Sequence, residues 1–370
     1  RLVLILTCGI LLIIYLRGDY MYRFENDYSQ GCIPEILEIF TRTNMEQTSG
    51  YRLDPYCKAA SEKIARACGK DDLDVHFLVG GTQANFTVLD SILRPHQGVV
   101  AAQLGHVNVH EAGAVEGVGH KVLAISNGDI KKDDESKIYP DILEDYLTKF
   151  FAKGDWHMVQ PGAVYISHPT ERGVLYTREE LIAIKSICER HNLPLYLDGA
   201  RLSYALASEN NDISLEDLAK YTDIFYIGGT KCGAMFGEAV CFTNSKYNLD
   251  FNCITKHNGG VLAKGRLLGI QFDYLFTDNN YIEKSRNAVK YAIMIKKALE
   301  DRGISFIVDS YTNQQFPILS YFQKEILDKN NITYNVESNV DENNDCIRLC
   351  TSWGTKKEDI DYLIDVINKL

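Results

Sequence analysis

In this chain of 370 residues, the residue best placed for covalent chemistry is a lysine just past an apolar run. It lies in Phe225-Tyr226-Ile227-Gly228-Gly229-Thr230-Lys231-Cys232-Gly233. Its small neighbours leave room for a planar ligand. Desolvation lowers a lysine pKa and makes the amine nucleophilic. Thr230 could donate to a phosphate. Read alone, the segment also fits a surface lysine in a glycine-rich loop. A second segment is Leu195-Tyr196-Leu197-Asp198-Gly199-Ala200-Arg201. An aspartate ending a parallel strand points into the crevice where α/β sheets bind ligands. There it can hold a protonated ring nitrogen, and Arg201 reaches the same pocket. A capped loop with a surface arginine is the alternative. The third is Gly80-Gly81-Thr82-Gln83-Ala84-Asn85, between an apolar run and a helical pattern. Its glycines permit a sharp turn, and the free N–H groups of a helix N-terminus form a phosphate site. A plain strand-to-helix turn has the same pattern.

The elements that must position these residues alternate. Val75–Val79, Val99–Ala102, Val122–Ile125, Ala163–Ser167, Leu195–Leu197, Ile224–Ile227 and Ala239–Phe242 are short, apolar and rich in β-branched or aromatic residues. Helical patterns at Gln83–Leu93, Arg178–Arg190 and Leu215–Tyr221 lie between several of them. This alternation predicts βαβ units around a largely parallel sheet covered on both faces. An extended arm with a short helix at Pro34–Thr41 and an amphipathic helix at Pro55–Cys68 precede them. One long helix at Tyr281–Arg302 follows, then strands at Ser305–Val308, Phe316–Ser320 and Cys346–Cys350, and a last helix at Lys357–Leu370. Pro317 confines the second of those strands to an edge. The polar stretch Asn127–Ser136 reads as a loop. The expected organisation is an apolar leader or anchor at 1–21, an N-terminal arm at 22–50, a large domain at 51–280 and a smaller α+β domain at 281–370.

Bulk properties narrow the classes. A net charge of −11 without any basic stripe argues against nucleic acid as a partner. Ten scattered cysteines form no C-x-x-C pair and no metal spacing, and they fit a reducing compartment. No metal is expected. Leu2–Leu16 is almost wholly apolar but falls short of the roughly 20 residues that span a bilayer. It reads as translated leader before Met21, with a short anchor or a cleaved signal as alternatives. The expected location is cytoplasmic, or membrane-anchored or exported if residues 2–16 act.

Together, a phosphate cup, Asp-x-x-Arg and Lys, in that order, are the parts of a fold type I pyridoxal 5'-phosphate (PLP) enzyme. The chain resembles the low-specificity L-threonine aldolases, within the aromatic and threonine β-eliminating lyases. The resemblance rests on Gly80–Asn85, Gly105–Glu111 (GHVNVHE), Pro169–Tyr176 (PTERGVLY), Leu197–Leu202 (LDGARL), Gly228–Val240 (GGTKCGAMFGEAV) and Arg348–Trp353. It implies a mostly parallel seven-stranded large domain with a smaller α+β C-terminal domain. It implies that Lys231 holds PLP covalently, that Asp198 pairs with the ring nitrogen, and that Arg201 lies beside the ring oxygen. Gly81, Thr82 and Thr230 would bind the phosphate. His106 would stack on the ring and act with Lys231 in catalysis. Arg348, with Asn26 and Ser29, would bind the substrate carboxylate. Some threonine aldolases carry a second active-site histidine where Thr170 stands here, and His168 is out of register. The catalytic base is therefore left open.

The implied activity is cleavage of L-threonine or L-allo-threonine to glycine and an aldehyde. The alternative within the same chemistry is β-elimination on another amino acid. A non-catalytic scaffold is disfavoured by intact Lys231, Asp198 and Arg201. A Rossmann dehydrogenase is disfavoured by the lack of a G-x-G-x-x-G after a first strand. The family resemblance also implies a homodimer or homotetramer with sites at subunit interfaces.

Overall fold

The computed structural model describes residues 2–7, 10–15, 20–128 and 135–370. Seven strands build the central sheet: β1 (Asp74–Leu78), β2 (Gln97–Ala102), β3 (Lys121–Ile125), β4 (Gln160–Ser167), β5 (Leu195–Asp198), β6 (Ile224–Gly228) and β7 (Glu238–Phe242). Their order is β3-β2-β4-β5-β6-β7-β1. All neighbours are parallel except β7, which runs antiparallel to β6 and β1.

Side chains alternate across this sheet, and both faces are apolar. Val100, Ala102, Leu195, Leu197, Phe225 and Ile227 join one core. Val99, Ala101, Tyr196, Ile224 and Tyr226 join the other. Leu181 and Ile184 of helix Arg178–Arg190 cover the first face, with Leu268 and Phe272 of helix Arg266–Leu275. Ala84, Val88 and Leu89 of helix Gly81–Ile92 cover the second. Two buried faces explain why the strands read as continuous apolar runs.

The C-terminal residues form a second sheet with its own core. Gln314–Gln315, Ile318–Ser320 and Asn335–Asn339 all pair antiparallel with Asn344–Cys350. Ile295, Leu299, Ile347, Leu349, Ile360 and Leu363 pack together there, joined by Phe24 of the arm. Tyr22–Arg23 also adds a short parallel pairing to Ile332–Thr333.

Several expectations are corrected. The long helix at 281–302 is two, Asn280–Glu283 and Arg286–Asp301. Ser285 sits at the break, buried, its Oγ 2.6 Å from Ser203 Oγ. The strand at 305–308 reduces to a single bridge between Phe306 and Pro317. Helices Pro140–Lys153, Phe251–His257, Arg266–Leu275 and Tyr321–Lys329 were not anticipated, nor was strand Asn335–Asn339. Leu2–Thr7 and Ile10–Tyr15 pair as antiparallel strands; the rest of the leader or anchor, at 1, 8–9 and 16–19, lies outside the described residues. So do residues 129–134 of the polar loop. No described helix is long and apolar enough to cross a membrane. The nine described cysteines are all free.

Candidate active site

A cavity of about 240 Å³ opens over the C-terminal ends of β4, β5 and β6. Its lining includes Gly80, Gly81, Thr82, His106, Asp198, Arg201, Thr230 and Lys231. Three sequence segments that are far apart in the chain thus meet where α/β sheets bind ligands.

Asp198 ends β5 on the same face as Tyr196. Its Oδ2 accepts from the Tyr165 hydroxyl at 2.7 Å and from Asn85 Nδ2 at 3.0 Å. Its Oδ1 accepts from Ala200 N–H at 2.9 Å. Burial alone would raise its pKa. The nearby His106 ring and hydrogen bonds from Tyr226, Tyr165 and Asn85 outweigh burial and hold it below the usual carboxylate range. The Asn85 amide also donates to Glu111 Oε1 at 2.7 Å, and Tyr196 holds its oxygen at 2.8 Å. His106 Nδ1 lies 2.7 Å from Glu111 Oε1. Facing a carboxylate acceptor, that nitrogen carries hydrogen, and the ring is fixed in orientation.

Lys231 follows β6 through a tight turn. Gly233 has φ +100°, and a Cβ there would lie 2.3 Å from Ile33 Cδ1. The Tyr204 hydroxyl donates to the Lys231 carbonyl at 2.6 Å. Burial, then the Arg201 cation, push the Lys231 pKa down, against the pull of Asp27, Asp198 and Glu238. No hydrogen bond or ion pair among the described residues engages its amine. On the far side, the first bond within helix Gly81–Ile92 runs from Ala84 N–H to Gly80 O at 3.0 Å. The N–H groups of Gly81, Thr82 and Gln83 therefore stand outside the helix ladder, free for an anion.

Other expected residues are placed differently. Thr230 lines the cavity, but its hydroxyl donates to Glu238 Oε1 at 2.8 Å. Arg201 also lines it, with Nε and Nη2 clamped on buried Asp27 at 2.7 and 3.0 Å. Arg348, Asn26 and Ser29 are not among the lining residues. Arg348 donates to the Glu25 carbonyl at 3.0 Å and lies 3.4 Å from Glu337. Asn26 Oδ1 accepts from Ser29 Oγ at 2.8 Å in a local turn. His168 is buried away from the cavity, 3.1 Å from Asn211 Oδ1, and burial pushes it down to about 4.

Sequence reasoning gave no role to Glu171, Glu238, Tyr165, Tyr226 or Asp27. Glu171 and Glu238 lay inside stretches already singled out. Asp27 carried no local signal.

The β-eliminating lyase family matches residues 28–319. A low-specificity L-threonine aldolase of Pseudomonas aeruginosa is 28% identical over 305 residues, 82% of this chain and 85% of its own length. That of Saccharomyces cerevisiae is 25% identical, covering 75% of this chain and 69% of its own. The structure of Leishmania major threonine aldolase superposes with a TM-score of 0.89 at 40% identity, covering 94% of this chain and 99% of that one. Aspartate aminotransferase from Thermus thermophilus, 15% identical with a TM-score of 0.68, shares the fold. The lysine, carboxylate and helix N-terminus gathered over the strand ends therefore sit in a framework already used by known enzymes, and the chain belongs to the β-eliminating lyases, pyridoxal-phosphate enzymes of fold type I.

Proposed function

We propose that this chain cleaves a β-hydroxy-α-amino acid, L-threonine or L-allo-threonine, to glycine and an aldehyde, using PLP. The observation that carries the reading is an amine without a partner, Lys231, in one cavity with an ionised aspartate, Asp198. The residues fit PLP by the chemistry of their donors. Lys231 offers a nucleophile whose pKa is lowered. Asp198 offers a charge for a ring nitrogen, and Gly81 and Thr82 offer free N–H groups for a phosphate. When bound, the cofactor supplies an electron-poor ring that accepts the electron pair released at the substrate α-carbon.

The chain's own groups do the rest. Asp198, held by Tyr165, Asn85 and Ala200, would present its negative charge to a ring nitrogen. His106, oriented by Glu111, would lie against the cofactor ring near the substrate side chain. Arg348, with Asn26 and Ser29, would anchor the substrate carboxylate from outside the cavity lining. We read 51–280 as the cofactor-binding domain, 22–50 as an arm and 281–370 as the smaller domain. We also propose a homodimer or homotetramer with interface sites, and a cytoplasmic location.

An absorbance spectrum of the purified protein, titrated with L-threonine and L-allo-threonine, tests the reading. A cofactor band that responds to either, with release of aldehyde and glycine, is expected. Ammonia and a keto acid instead would support β-elimination and refute aldol cleavage.

A further inference from the structure

Two carboxyls besides Asp198 line the cavity, Glu171 and Glu238. Glu238 has both oxygens occupied: Gly229 N–H donates to Oε2 at 3.0 Å, and Thr230 donates to Oε1 at 2.8 Å. Glu171 is held differently. The His106 N–H and the Ser167 hydroxyl both donate to Oε1, each at 2.7 Å. Glu171 Oε2 is buried and has no hydrogen-bond partner. An ionised oxygen left bare in this way is costly, whereas a protonated carboxyl carries its hydrogen there. The geometry therefore describes a carboxyl held at one oxygen and unpartnered at the other, in the wall of the cavity.

We propose that Glu171 takes the β-hydroxyl proton of the substrate and returns it to the α-carbon. This rests on the aldol-cleavage reading above. The O–H proton passes to the Glu171 carboxylate, and the oxygen's electron pair becomes the second bond of the aldehyde carbonyl. The Cα–Cβ bond breaks, and its pair stays at Cα. The carboxylic acid then gives the same proton to Cα, leaving glycine and the starting carboxylate. Atoms and charge balance without any further reactant.

The charged and titratable groups acting on Glu171 are His106, on helix His106–Val109, Tyr165 on β4 and Asp198 on β5, while Arg201, Lys231 and Glu238 line the same cavity. Ser167 and, through its side-chain amide on the Glu171 carbonyl at 3.2 Å, Gln314 add neutral contacts. Burial, with the negative charge of Asp198 adding to it, pushes Glu171 up to about 7, against the donors from Ser167 and His106. Both protonation states are then populated near neutral pH, as a group that accepts and returns a proton needs.

Glu171→Gln keeps the shape and the acceptor while removing the titration. The loaded variant is expected to bind PLP like the wild type, with threonine kcat lower by about 10²–10⁴-fold. Exchange of the glycine α-hydrogen with deuterated solvent should fall in step. A readout independent of turnover is the infrared C=O stretch of protonated carboxyls in the holoenzyme, titrated through neutral pH. The wild type should show bands from both Glu171 and Glu238, Glu171→Gln only that of Glu238, and Glu238→Gln only that of Glu171. Ser167→Ala removes a donor to the charged form, so the pH midpoint of kcat should rise. Glu171→Gln with near wild-type kcat, or with an unchanged carboxyl band, overturns the proposal while leaving aldol cleavage intact. A wild type that releases no aldehyde from threonine overturns both.

Discussion

Burial pushes each carboxyl of this cavity towards its neutral form, and what each one touches decides whether that push prevails. Asp198 has donors and the His106 ring nearby, and it stays ionised. Glu238 has two donors and the Lys231 charge nearby, but burial prevails and pushes it up to about 7. Unfolded, that carboxyl ionises near 4.5. Between the two values the folded protein keeps a proton the unfolded chain has lost. The stability it contributes is fully present below about pH 4.5 and is lost as pH rises through about 7, on the order of 3 kcal/mol in all. Glu238→Gln should therefore gain stability over the wild type between pH 5 and 8, measured by urea unfolding at each pH. An equal difference at both ends would mean that Glu238 is ionised throughout. Lys231→Ala should abolish both the visible cofactor band and turnover, and retained activity would refute its role. Lys231 and Asp198 were legible because each sits in a short local pattern. Tyr165, Tyr226 and Asn85 were not, because their contact with Asp198 comes from strand register and helix placement.

Elements were legible where one physical rule governed them. The seven strands of the central sheet are buried on both faces, so their apolar runs stand out. The 281–302 stretch misled because its helical periodicity continues through Ser285, whose turn is set by a partner on a distant helix. The 305–308 stretch is apolar enough for a strand, yet its partner residue is Pro317, which has no N–H for a ladder. The loop that carries Glu171 depends on Gly173. Its φ is +73°, and a Cβ there would lie 2.3 Å from Ser310 Oγ, while its carbonyl accepts from that same hydroxyl at 3.2 Å. Gly173→Ala combines a left-handed backbone with a collision against the C-terminal half of the chain. It should cost about 1–3 kcal/mol in chemical denaturation and lower kcat as well, through displacement of Glu171. Wild-type stability in this variant would show that the loop relaxes freely.

Across the whole molecule, one buried carboxylate joins three distant stretches. Asp27 of the arm binds Arg201 through two hydrogen bonds, and Asn313 Nδ2 donates to Asp27 Oδ2 at 3.0 Å. Asp27 is fully buried, and Arg201 is 12% exposed. The pair spans 174 positions, so no local pattern could announce it. Asp27 also lies just outside the stretch that the family matches, 28–319. Removing the carboxylate alone leaves a guanidinium buried without its counter-charge. Asp27→Ala should therefore cost about 3–5 kcal/mol, more than an ordinary surface pair could. Replacing both partners together, Asp27→Leu with Arg201→Met, should recover most of that stability, because no uncompensated charge remains. Added salt should change the wild type little, since buried pairs are weakly screened. A loss near 1 kcal/mol in Asp27→Ala, or a double variant no more stable than the single, would mean that water reaches Arg201 and that the arm is held by its apolar contacts at Phe24 and Ile33 instead.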